Sequence, residues 1–93
     1  MTVQTLRLDL RLAGCPSLRE KRKQLQAIVV RLHKHFNVSV AEADAEGGAD
    51  RAMLVAAAVG RTRRESRETL ERVADAVSAH PRIELLGHAI DEV

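Results

Sequence analysis

The apolar pattern of the chain predicts an α+β domain: a four-stranded antiparallel sheet carrying two helices on one face. Three observations predict it. Leu6, Leu8, Leu10 and Leu12 alternate with Arg7, Asp9 and Arg11, the two-residue period of a strand. Ser17 with Glu20, and Thr62 with Glu65, have the spacing of a capping box, and each opens a stripe of helical period. Between the two helical stretches lie two strand-like segments joined around Gly47-Gly48.

Each element follows in order. Gly14-Cys15-Pro16 ends the first strand. Leu18, Leu25, Ile28, Val29 and Leu32 then mark one face of a helix of about four to five turns. Phe36 to Glu42 alternates again and reads as the second strand. Ala43 to Asp50, with three acids and the Gly pair, reads as a hairpin loop. Arg51 to Val59 is apolar nearly throughout, as a central strand should be, and Gly60 ends it. Ser66, Leu70, Val73 and Val77 form the inner face of the second helix, which His80-Pro81 stops because a residue before proline avoids helical angles. Ile83 to Ile90 is the fourth strand, and its broken alternation at Leu85-Leu86 predicts a bulge.

The order β-α-β-β-α-β is the split, ferredoxin-like arrangement. Right-handed crossovers make the first two strands parallel, with the third returning between them, so the expected strand order is 4-1-3-2. Residues 1–93 fit one domain, with no length for a second core. The two helices start at opposite ends of the sheet, so their N-termini cannot share one phosphate.

Composition removes several function classes. Cys15 is the only cysteine, which excludes a disulfide framework within the chain. No apolar run approaches the roughly 20 residues of a membrane span, and the opening residues do not read as a secretory leader. A cytoplasmic protein without membrane contact is expected. Phe36 is the only aromatic residue, so the third strand has no ring on which a base could stack, and an RNA reader that works through its sheet is excluded. His33 and His35 diverge on a helix, and His80 and His88 stand alone, so no metal site is expected. There is no Walker loop, GxSxG or CxxC, no catalytic residue is assigned and no cofactor is expected.

Charge is uneven. Residues 1–36 carry a balance of +6 and residues 37–93 a balance of −4. Arg19, Lys21, Arg22, Lys23, Arg31 and Lys34 put the basic excess on the first helix, where they are candidates for holding an anion or the phosphates of RNA. Lys21 falls within the apolar stripe. Either it runs its stem over the core to pair with Glu42 or Asp44, or it joins Arg22 around an anion at the Gly14–Ser17 turn. At the other end, His33, His35, Arg61, Arg63 and Arg64 form a second basic pole, with Glu65, Glu68, Asp91 and Glu92 close enough to neutralise it.

Ser17-Leu18-Arg19-Glu20-Lys21-Arg22, followed by Phe36-Asn37-Val38-Ser39-Val40-Ala41-Glu42 and by Pro81-Arg82-Ile83-Glu84-Leu85-Leu86, resembles the YlxP-like family of small bacterial proteins of unknown function. The resemblance implies a ferredoxin-like fold. Members are often encoded beside transcription-termination, translation-initiation and ribosome-maturation factors, which implies a role near RNA or the ribosome. Gly47-Gly48-Ala49-Asp50 departs from that pattern, replacing a stretch that often carries a bulky aromatic.

Three readings of function follow. The first is a non-enzymatic module that binds RNA or a ribosome-associated protein through the basic face of the first helix. The second is a protein-interaction or homodimerisation module acting through the open sheet face, where the Ala-rich third strand permits close approach. The third is a small phosphate-handling enzyme like the acylphosphatases, whose phosphate-holding loop arginine has no counterpart in Ala13-Gly14-Cys15-Pro16; Asn37 is then a lone polar candidate.

Overall fold

Strict alternation of leucine with polar residues produces the longest strand of the sheet, β1 (Thr2–Leu12), whose Leu6, Leu8, Leu10 and Leu12 are all buried. A computed structural model describes residues 1–43 and 47–93. The remaining elements are α1 (Leu18–His35), β2 (Ser39–Ala43), β3 (Arg51–Gly60), α2 (Arg63–Ser78) and β4 (Ile83–Glu92). The strand order is β2-β3-β1-β4, every neighbouring pair is antiparallel, and both helices pack on the leucine face of β1. This is the ferredoxin-like arrangement expected from the order of elements.

The core is built from leucine set against alanine. In the β1–β3 register Leu6 faces Ala56 and Leu10 faces Ala52, while Leu8 faces Leu54. Alternating large and small side chains lets the two strands fill one layer without aromatics. Leu25, Ile28 and Leu32 of α1 and Leu70, Val73, Ala74 and Val77 of α2 close over it. Between Leu10 and Asp9 the β1–β4 register slips, Leu10 facing Leu85 and Asp9 facing Gly87. Leu86 is therefore the extra residue of a bulge, at the broken alternation.

Local chemistry sets the helix starts. Ser17 and Thr62 are extended N-caps whose hydroxyls accept the backbone N–H of Glu20 and Glu65, each at 3.2 Å. At the α2 start, Ser66 Oγ donates to Gln4 Oε1 at 2.5 Å, and both residues are almost fully buried. Gly60 lets this turn close: a Cβ there would lie 2.7 Å from the Ser66 nitrogen and 2.9 Å from the Thr62 oxygen.

Two local expectations are corrected. Leu18 is 61% exposed, not part of the buried stripe. Lys21, one turn later, already bonds to Arg51, the first residue of β3, so Leu18 projects past the end of the sheet. Phe36 does not begin a strand. It is the C-cap of α1, with its N–H donated to Leu32 O, and its half-buried side chain packs against the core ahead of β2. The second strand is therefore shorter than alternation suggested, Ser39–Ala43. No helix among the described residues is long and apolar enough to cross a membrane.

α2 lies over β1, β3 and β4, while α1 lies over the β2 side. A groove opens between the helices.

Candidate functional site

Helical geometry divides the six α1 cations among four directions. At roughly 100° per residue, Arg19, Lys23 and Lys34 project opposite Leu25, Ile28 and Leu32, along with exposed Val30. This outer stripe runs roughly 22 Å at 1.5 Å per residue. Arg22 turns toward the sheet edge, where it shares a shallow groove with Gln26, Val29, Val40 and Glu42. Arg31 turns the other way, toward α2. Lys21 points inward. The candidates are thus on one helix but not on one face.

Lys21 and Glu42 do not form the expected ion pair. The Lys21 ammonium donates to the Arg51 carbonyl at 3.1 Å, and no carboxylate among the described residues lies within 4.0 Å of it. Register explains the separation. Glu42 faces Leu54, three residues up β3 from Arg51, or about 10 Å along a strand. Asp44, the other partner expected for Lys21, lies outside the described residues.

Unlike α1, the start of α2 is electrostatically closed. Arg61 pairs with Glu65, Arg64 with Glu68 and Arg67 with Glu71, each one helical turn on. Arg63 reaches across to β4 and grips Glu92 with two hydrogen bonds, 3.1 and 2.9 Å. That hydrogen bonding, and then the carboxylate charge, raises the Arg63 pKa above its ordinary value. His33 serves the fold: its Nε2 accepts the Val40 N–H at 3.2 Å and ties the end of α1 to the start of β2. His35 lines the interhelical groove. No hydrogen bond or ion pair joins either histidine to Arg61, Arg63 or Arg64, so the second pole divides into a neutralised helix start and two separate histidines.

By contrast, none of Arg19, Lys21, Arg22, Lys23, Arg31 and Lys34 has a carboxylate partner among the described residues. The charges at the start of α2 cancel locally, Arg72 further along is unpaired among the described residues, and those of α1 remain available.

Sequence reasoning did not find the interhelical groove, which Ile28, Arg31, Leu32, His35 and Phe36 form with Ala76, Val77, Ala79, His80, Pro81 and Ile83. The available signal was the run of small residues at Ala76 and Ala79 opposite the sole aromatic ring. Elsewhere, the half-buried Cys15 thiol sits 3.5 Å from the Ser17 carbonyl, and no group of three or more His, Cys, Asp or Glu among the described residues could hold a metal.

Comparison with known proteins finds a family described as "Protein of unknown function (DUF503)", matched over residues 3–90. No curated protein matches the chain.

Proposed function

The chain belongs to that family, and from its charge geometry we propose a non-enzymatic, cytoplasmic module that binds RNA through the phosphate backbone along α1. The observation that carries this reading is the contrast between helices: all six α1 cations are unpaired among the described residues, whereas Arg63, Arg64 and Arg67 of α2, and Arg61 just before it, are each matched to a glutamate, leaving Arg72 as the α2 arginine without such a partner. Arg19, Lys23 and Lys34 supply the outer phosphate contacts and Arg22 flanks them. With no aromatic on the open sheet face, recognition is of backbone charge rather than stacked bases. The resemblance to the YlxP-like family supports the same setting, near RNA or the ribosome.

Single-stranded RNA binding measured against salt tests the proposal. The logarithm of the affinity is expected to fall with that of salt by about 0.7 per phosphate neutralised. Replacing Arg19, Lys23 and Lys34 together by Ala should flatten that slope by about two, while Arg64→Ala leaves it unchanged. Affinity indifferent to salt and to the triple substitution refutes the RNA reading. Partners that stay bound after nuclease treatment point instead to a ribosome-associated protein.

A second reading rests on the face of the sheet that no helix covers. Met53, Val55, Ala57 and Val59 of β3 lie there beside Ala41 and Ala43 of β2, and Val59 is 58% exposed. A second copy of the chain packed on this stripe buries it. Sedimentation then shows a dimer that Val59→Asp dissociates; a monomer at all concentrations rules this out.

A further inference from the structure

The groove between the helices lies apart from the outer stripe of α1. It has a volume of about 390 Å³, within the roughly 300–1,000 Å³ range of small-molecule sites. Its apolar lining comes from Ile28, Leu32, Phe36, Val77 and Ile83, all at least partly packed against the core. Ala76 and Ala79 keep the α2 wall low. The polar groups that line it are Arg31, His35 and His80, and no acid does.

Arg31 supplies the fixed positive charge of this lining. Arg31 and His35 stand one helical turn apart on α1, and His80 comes from the end of α2. Arg31 has no carboxylate partner among the described residues, and its planar guanidinium matches a carboxylate with two parallel hydrogen bonds. His80 Nδ1 already accepts the Arg82 N–H at 3.2 Å, which leaves Nε2 as the ring's donor.

We propose that this groove binds a small amphipathic monocarboxylate, its apolar chain against Ile28, Leu32, Phe36 and Val77 and its carboxylate against Arg31. From Ile28 to Phe36 the α1 wall extends roughly 12 Å. A nucleotide fits poorly, because the floor is aliphatic with a single ring. Arg31 also lies roughly 90° around the helix from the RNA stripe. The inference is independent of RNA binding and survives its failure.

The test is an NMR titration of the full chain with octanoate, and with 1-octanol as the neutral counterpart. Octanoate is expected to give saturable shifts at Ile28, Leu32, Val77 and Ile83. Arg31→Gln should weaken octanoate about tenfold and leave octanol unaffected. Ala76→Leu, at an exposed position that fills the groove, should abolish binding of both while preserving the spectrum of the fold. No saturable shift below about 10 mM overturns the proposal. So does octanoate binding that survives Ala76→Leu or is indifferent to Arg31→Gln.

Discussion

A lysine that ends on a backbone oxygen is coupled to the strand it touches and not to any acid nearby. For Lys21 that strand is β3 at Arg51, and the consequence is a double-mutant cycle with a small result. Lys21→Met keeps the aliphatic stem over the core and loses one hydrogen bond, for a cost of about 0.5–1.5 kcal/mol in urea unfolding. Glu42→Gln alone should change stability by less than about 0.5 kcal/mol, and the coupling between the two should be equally small. A coupling well above that would restore the ion pair that the register argues against. Ser66 is the more sensitive residue. Its hydroxyl joins a buried glutamine, and Ser66→Ala leaves Gln4 Oε1 without that donor inside the core. A loss of about 1–3 kcal/mol is expected.

At the scale of elements, the two helices differ in how they are attached. α2 is pinned at its start by the Gln4–Ser66 bond, the close turn at Gly60 and the Arg63–Glu92 bridge to β4. The bridge has a defined pH behaviour. The Arg63 pKa is raised on folding, so its contribution is complete below the ordinary arginine range and is lost only as pH climbs through the raised value. The stability difference between the wild type and Arg63→Gln should therefore be the same at about pH 6 and about pH 9; a difference that shrinks across that interval would assign the bridge to another group. These attachments also show what was legible in the sequence. Alternation and capping spacings are short-range signals, so the element order, both N-caps and the bulge at Leu86 could all be read. The end of α1 could not, because the Phe36 side chain suits a strand and a half-buried cap equally well. The Lys21–Glu42 separation depends on strand register, which residue spacing along one helix does not encode. The groove lies between two helices and forms only when α1 settles on β2 and α2 on the other three strands.

For the whole molecule, the unequal distribution of charge is a stability cost that local substitution can relieve. α1 keeps like charges one turn apart at Arg19 and Lys23, an arrangement that destabilises a helix by about 0.2–0.5 kcal/mol. α2 carries two opposite-charge pairs at the same spacing, and Arg61 just before it makes a third with Glu65. If helix stability alone governed, α1 would be matched in the same way. Arg19→Glu makes that change, converting its repulsive pairs with Lys23 and Arg22 into attractive ones at the start of the outer stripe. The variant should be more stable than the wild type by about 0.5 kcal/mol at low salt, with the gain shrinking as salt screens it. It should also bind RNA more weakly, with a shallower salt slope. Chemical denaturation and RNA titration of the same sample separate the possibilities. Higher stability together with lost affinity means that the repulsion is retained for a polyanionic partner. Higher stability with affinity unchanged means that Arg19 has no part in binding, and the interface would then have to be sought on the sheet.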